Sequence, residues 1–501
     1  MATSFASYGK LLKRSREIAL FTSAAEMLTW DLETCMPLKA LEFRAGQLAH
    51  FGGEAHRLFT AKKVGDWISA CEQHGFAAES DEAANLREWR RSYDRATKLP
   101  TRLVEKLQRV CAHAREAWRQ ARERSEFRTF KPHLQKVLDL NLQMADCWGF
   151  PESPYDALVE GHEPGVRASQ LRELFAELRP AIVAILGPAV ERSAAVPRDL
   201  LRGNYPVAAQ QALNRQVAEA IGFDFQAGRI DTTPHPFCSG LGPGDCRLTT
   251  RYNERDFTQS LYGILHEAGH GLYEQGLPEQ HHGTPLGMAA SLGIHESQSR
   301  LWENHVGRGA AFWEHWHPIA CQHFPELKKF LPAQISAAVN RVSPSFIRVE
   351  ADQVTYDLHI ILRFEIEVKL IERQLTVADV PGYWNEGFER MFGLKVPKDA
   401  DGCLQDIHWS MGSLGYFPTY TLGNLNAAQL MQSARRGNPS LDGDLSAGRY
   451  ETLLAWLRQQ VHREGSCHRP RELMEKVTGE RTGIRAHLDY LREKFVGGQG
   501  T

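Results

Sequence analysis

The stretch "LYGILHEAGHGLYEQGLPEQ", residues 261–280, decides how this chain is read. Its apolar residues Leu261, Ile264, Leu265, Leu272 and Tyr273 recur at the spacing of one buried helix face, and Gly276 and Pro278 end the run. Inside it lies HEAGH, with His266, Glu267 and His270. Residues four apart share a helix face, about 6 Å apart along the axis, so two such imidazoles can converge on one metal ion. The glutamate after the first histidine projects beside the open coordination position, where it can take a proton from a water. Two histidines and a carboxylate are costly as bare core residues on so apolar a helix, and a metal accounts for them.

A catalytic metal needs a third protein ligand. The extended form HExxHxxGxxH fails, because Tyr273 and Gly276 stand at its glycine and last histidine positions. Glu274 lies roughly 9 Å along the axis from the midpoint of the two histidines, too far to share their ion. After the loop "HHGTPLG" the chain reads "MAASLGIHESQSRLWENHVG", which predicts a second helix from near Ala289. Glu296 lies in its first turns and is the preferred third ligand, while Glu303 lies two turns further from the loop. For His295, a place beside the ligands and a place against the substrate both stay open.

The rest of the chain reads as a large helical body. Its 501 residues are 42% hydrophobic and 24% charged, ordinary for a globular protein and too long for one ordinary core. Apolar stripes at helical spacing predict helices over 8–34, 83–96, 103–126, 168–191, 207–221, 449–459 and 471–494. Strand-like text is confined to 231–237 and 246–252, separated by the loop "SGLGPGD", which predicts a small hairpin or edge strand just before the HEAGH helix. A net charge of −2 gives no field directed at nucleic acid or an anionic membrane. Nine scattered cysteines without a CxxC pair read as reduced thiols of a cytoplasmic protein. No apolar run approaches a membrane span, and the first residues do not read as a secretory signal.

Taken together, "HEAGHGLYEQG", "GTPLG" and "GIHESQSRLWEN" resemble the thermostable carboxypeptidase (carboxypeptidase Taq) family, peptidase family M32. Further blocks carry the resemblance: "HPF" at 235–237, "DCRLT" at 245–249, "IRVEAD" at 347–352, and "GCLQDIHW" at 402–409 followed by "SMGSLGYFPTYTLG". "LTWDLETCMP" and "YDALVEGHEPG" extend it toward the N-terminus, with Cys35 and Met411 standing as small departures.

The resemblance implies an all-α, mainly helical fold with a small β-sheet beside the active-site helix. It implies a two-lobed zincin, similar to neurolysin and angiotensin-converting enzyme, with a deep cleft. Residues 1–126 would form a helical lid and 127–501 the catalytic body. The implied activity is a metal-dependent carboxypeptidase that removes C-terminal residues from peptides with a free C-terminus. The implied cofactor is one Zn²⁺ or Co²⁺ per chain, and the implied assembly a homodimer. The ligands would be His266, His270 and Glu296, with Glu267 as general base. Tyr420, Tyr416 and His408 would serve the oxyanion or the substrate terminus, the packing alternative for the tyrosines being open. Arg348 would hold the substrate carboxylate, its alternative partners being Glu350 and Asp352. Arg247, with Asp245, and His235 would organise or line the site. Asp352 and Asp406 are both candidates to orient the metal histidines. Two other readings stand beside this one: a zinc oligopeptidase cutting internal bonds, and a metal-stabilised protein without catalysis.

Overall fold

The computed structural model describes residues 2–497. The chain forms two compact units, one from Met1–Thr97, Asp199–Val339 and Leu430–Arg481, the other from Lys98–Arg198, Asn340–Gln429 and Thr482–Thr501. A division after residue 126 does not coincide with these units. Residues 98–126 belong to the second, where the Trp118 indole donates to the Leu404 carbonyl at 2.9 Å.

The first unit holds helix α1 (Ala2–Thr34) and a three-stranded sheet of β1 (Gly228–Thr232), β2 (Cys238–Gly242) and β3 (Asp245–Thr250). β3 is central, parallel to β1 and antiparallel to β2. The expected hairpin is therefore corrected. Pro234 and Pro236 lack the N–H groups a ladder needs, so 233–237 turns, and the glycine-rich text taken as loop forms β2 through its backbone. Helix α1 lies against this sheet: Ser23 donates to the Leu241 carbonyl, and the Arg247 guanidinium stands over the Trp30 ring at 4.5 Å. Away from the sheet, Leu11 of α1 packs with Val64, Ile68, Leu86 and Trp89.

Helix α2 (Phe257–Glu274) carries HEAGH, and Asp256 caps it by accepting from the Thr258 N–H at 3.0 Å. Helix α3 (Leu292–Arg300) starts three residues after Ala289, where the sequence placed it, because the Ser291 hydroxyl accepts from the Ile294 N–H at 3.0 Å. It continues into a wider π turn, Leu301–Gly307. The periodic run over 471–494 is two helices, Pro470–Thr478 and Arg485–Phe495. Gly479 ends the first at φ +85°, a left-handed conformation that favours glycine.

The second unit is built round α4 (Tyr356–Ile371), whose Leu358, Ile360, Ile361, Leu362 and Ile366 are fully buried. Of the ionisable side chains of α4 fully buried with them, Asp357, Arg363 and Glu367 each take partners from another segment. Asp357 accepts from Thr421 and Asn424 of helix α5 (Pro418–Gly437), and from His487, each at 2.8 Å. Arg363 donates to Asp406. Glu367 accepts from the Tyr155 hydroxyl and Trp409 indole at 2.8 Å and from the Gly415 N–H at 3.0 Å. Gly415 sits at φ +85°, and a Cβ there would stand 2.8 Å from the backbone of Leu158 and Val159, so only glycine lets the chain pass.

Burial raises the Glu367 carboxyl from 4.5 to about 7, the three donors pulling it down. Below pH 4.5 both folded and unfolded chains hold this proton. Between about 4.5 and 7 the unfolded chain releases it first, so stability is lost as pH rises through that window. Glu367→Gln removes this titration. The melting temperature of the natural protein relative to Glu367→Gln is expected to fall from pH 4.5 to 7 in thermal scans; a relative rise would contradict the assignment.

Candidate active site

In the first unit His266, His270 and Glu296 each offer a ligand atom, and these atoms lie within 4.8 Å of one another. Glu296 Oε2 is 3.7 Å from His266 Nε2 and 3.5 Å from His270 Nε2. These separations exceed ordinary hydrogen bonds, whereas ligands about 2.0–2.1 Å from a tetrahedral ion stand roughly 3.4 Å apart. The two Nδ1 atoms point to other partners, so the Nε2 lone pairs and the carboxylate oxygen converge on one point. The donor set fits a divalent metal.

The approach of α3 to α2 makes this convergence possible. A Cβ at Gly269, inside HEAGH, would stand 2.6 Å from the Gln298 carbonyl oxygen and from the Ser299 Cα. Glycine there lets the two backbones touch, and Glu296, one turn earlier on α3, comes within reach. Its Oε1 accepts from Arg300 at 2.7 Å and its Oε2 from the Ser299 hydroxyl at 3.0 Å. Burial opposes its charge, but Arg300, His266 and His270 outweigh that and hold the carboxyl well below its usual range.

Around the ligands the charges are interlocked. His266 Nδ1 meets Glu303 Oε2 at 3.0 Å, and Glu303 is also paired with Arg300 and Arg308. His270 Nδ1 meets His295 Nδ1 at 2.6 Å. Glu267 is 7% exposed, and burial raises its carboxyl to about 7, His266 pulling down while Glu296 and Glu303 push up. A carboxyl with that affinity both accepts and returns a proton near neutral pH. A second cluster, Glu464, Cys467 and His468, is already served by the Lys476 ammonium, 2.7 Å from Glu464 and 3.0 Å from His468.

The second unit gathers Arg348, Asp406, His408, Tyr416 and Tyr420. Arg348 is 6% exposed and donates through Nε and Nη2 to Asp406 Oδ1, at 3.0 and 2.8 Å, and through Nη1 to the Tyr356 hydroxyl at 3.0 Å. Arg363 takes the other oxygen of Asp406 at 2.7 Å. Two guanidiniums thus share one carboxylate and leave a positive charge over. The Arg348 guanidinium lies 4.9 Å from the Tyr420 ring, and His408 Nε2 is 3.3 Å from the Tyr420 hydroxyl. Burial lowers His408 to about 4, so it is neutral at pH 7. Tyr416 and Tyr420 face each other with ring centroids 5.4 Å apart.

The sequence profile of the carboxypeptidase Taq (M32) metallopeptidases matches residues 10–495. Thermostable carboxypeptidase 1 of Thermus thermophilus is 43% identical over 506 residues, 99% of each chain. The crystal structure of the M32 carboxypeptidase from Deinococcus radiodurans R1 aligns with a TM-score of 0.94 at 38% identity, over 98% of this chain and 99% of that one. The structure of metallocarboxypeptidase 1 of Trypanosoma cruzi aligns with a TM-score of 0.94 at 34% identity, over the same shares, 98% and 99%.

The chain belongs to the carboxypeptidase Taq (M32) family. The helical zincin-like fold and the activity of a metal-dependent carboxypeptidase are thereby as the sequence implied, and the oligopeptidase and non-catalytic readings are not favoured. Several finer expectations for this M32 chain are corrected. Asp352 accepts backbone N–H groups of Ser343, Val354 and Thr355, Asp406 is taken by the two arginines, and the Nδ1 partners of His266 and His270 are Glu303 and His295. Arg348 pairs with neither Glu350 nor Asp352 but with Asp406. Arg247 and Asp245 do form the expected pair, two bonds of 2.8 Å, while His235 is exposed in the turn between β1 and β2.

Sequence reasoning weighed Glu303 only as the less favoured third ligand and missed its contact with His266 Nδ1, although seven residues after Glu296 it keeps nearly the same helix face. It also missed Arg363, although a lone arginine inside "LHIILRFEIEV" signals a buried counter-charge.

Gly269→Ala is expected to force α3 off α2, cost about 1–3 kcal/mol of stability, and weaken Zn²⁺ binding. Calorimetric melting of the metal-free variant together with chelator competition tests this; unchanged metal affinity would separate the glycine from the ligand geometry.

Proposed function

We propose that this M32 carboxypeptidase holds one divalent metal, Zn²⁺ or Co²⁺, on His266, His270 and Glu296, and hydrolyses the last peptide bond of substrates with a free C-terminus. The observation that carries this reading is the convergence of two Nε2 atoms and one carboxylate oxygen beside the buried, proton-poised Glu267. Two imidazoles and a carboxylate suit either ion. When bound, the metal supplies a Lewis acid that polarises the scissile carbonyl and acidifies a water.

Glu267 takes a proton from the attacking water at its carboxylate and delivers it to the departing amine. Arg348 receives the substrate carboxylate. It is held rigid by Asp406 and Tyr356, and the surplus charge of the Arg348–Asp406–Arg363 group favours an anion. Tyr420 donates its hydroxyl to the developing oxyanion and is steered by His408, with Tyr416 packed against both. Arg247 and Asp245 stiffen the central strand of the sheet beside α1, and His235 lines the substrate path. We assign the N-terminal helices the role of a lid over bound peptide.

Nine free thiols support a reducing, cytoplasmic setting, and no described helix is long and apolar enough to cross a membrane. A homodimer accords with the family resemblance and with exposed Leu38, just after α1, and exposed Phe43, in the first turn of the helix that follows, Leu41–Phe59.

Mass spectrometry of digests should show stepwise loss of C-terminal residues from a free peptide and none from its amidated twin. Equal cleavage of both would refute the carboxylate anchor. Chelation should abolish activity, and Zn²⁺ or Co²⁺ restore it. Glu267→Gln should lower kcat about 10²–10⁴-fold. Arg348→Lys, which keeps the charge facing Asp406, should lower kcat/KM by about 10–100-fold, mainly through KM, the worth of about 1.5–3 kcal/mol of charged hydrogen bonding.

A further inference from the structure

We propose that Glu274 is a positioning residue of the metal centre, acting on His270 through His295 by fixing which ring nitrogen of His270 carries the proton. The inference rests on His270 being a ligand, as proposed above. Glu274 itself is too far along α2 to share the ion, but it reaches the site through a chain of three side chains. Its Oε1 lies 2.7 Å from His295 Nε2, and His295 Nδ1 lies 2.6 Å from His270 Nδ1.

The chemistry of this chain admits one arrangement that serves a metal. An ionised carboxylate only accepts hydrogen bonds, so the proton between Glu274 and His295 sits on His295 Nε2. A neutral His295 then offers a lone pair at Nδ1. His270 must donate to it from its own Nδ1, which leaves the lone pair of His270 on Nε2, the atom facing Glu296. Without a carboxylate at the far end, His295 is free to carry its proton on Nδ1. His270 would then have to accept at Nδ1 and carry a proton on Nε2, where the metal belongs.

Two further observations show that Glu274 is built into this place. Strand β2 approaches it so closely that a Cβ at Gly240 would overlap its carboxylate. Glu26 of α1 also interacts with it: burial and the Glu274 charge raise the Glu26 carboxyl to about 7, while His295 holds Glu274 below its usual value against burial, so Glu274 is the more readily ionised of the two. His266 is oriented differently, by direct contact with Glu303, so the two ligand histidines answer to separate carboxylates.

The test compares the full-length protein with Glu274→Ala, Glu274→Gln and His270→Ala. The readouts are Zn²⁺ affinity by chelator competition, visible absorption bands of the Co²⁺ form, and the melting temperature of the metal-free protein. Glu274→Ala is expected to weaken Zn²⁺ binding about 10–100-fold and to shift the Co²⁺ bands. Glu274→Gln, whose amide oxygen still accepts from Nε2–H in the same shape, is expected to recover most of that affinity and the natural bands. Natural affinity and bands in both Glu274 variants would overturn the relay while leaving the ligand assignment intact. Natural affinity in His270→Ala would overturn the ligand assignment, and the relay with it. If Glu274→Ala melts early, Glu274→Gln decides: a loss as large as that of Glu274→Ala, in a chain melting normally, contradicts the tautomer argument.

Discussion

A carboxylate or guanidinium inside a helical body needs a partner from another segment, and the structure is arranged round that requirement. Burying an unpaired charge costs several kcal/mol, so each buried charge fixes the approach of whatever neutralises it. Asp406 shows this most directly. With its side chain 12% exposed, it accepts from Arg363 on α4 and from Arg348 in a separate turn, and thereby ties the loop before α5 to the core helix. Asp357 and Glu367 do the same for the two ends of that loop, through Thr421 and Asn424 at one side and Trp409 and Gly415 at the other. His408, Tyr416 and Tyr420 are consequently presented on a segment anchored at three points by one helix.

The same requirement operates in the first unit with the sign reversed. Glu296 and Glu303 face the imidazoles, and Arg300 and Arg308 stand behind them. These arginines keep both carboxylates ionised without occupying the oxygen that Glu296 turns toward His266 and His270. Close backbone approach supplies the rest: Gly269 admits α3, Gly240 admits the Glu274 carboxylate, and neither position tolerates a methyl group without displacement.

The parts of this architecture with a regular period were legible in the sequence. The stripe through Leu261, Leu265 and Leu272 predicts α2, and the HEAGH spacing within it predicts convergent imidazoles because a helix repeats every 3.6 residues. Family resemblance then supplies what spacing cannot, since Arg348 and His408 lie far from HEAGH in the chain. Other features depended on departures from regularity. A pair of prolines ends β1 early, and a glycine-rich run with no strand propensity becomes β2 by backbone pairing alone. Glu274 stands outside the group of convergent ligand atoms, as its axial distance implies. Its reach through His295 involves two rings in sequence, which no spacing rule for a single helix contains.

The two charge groups point to complementary ligands. Near HEAGH, carboxylates outnumber guanidiniums: Glu267, Glu296 and Glu303 against Arg300 and Arg308. Burial leaves Glu267 with its proton held loosely, near 7. A cation completes that group. Around Asp406, two guanidiniums share one carboxylate, His408 is neutral and His359 is driven neutral by burial and by Arg363. An anion completes that group. Under the proposed function a peptide's free terminus supplies the anion and a divalent metal the cation. An internal peptide bond has no terminal carboxylate to offer Arg348. The positive surplus of the Arg348–Asp406–Arg363 group thus accords with the proposed removal of terminal residues.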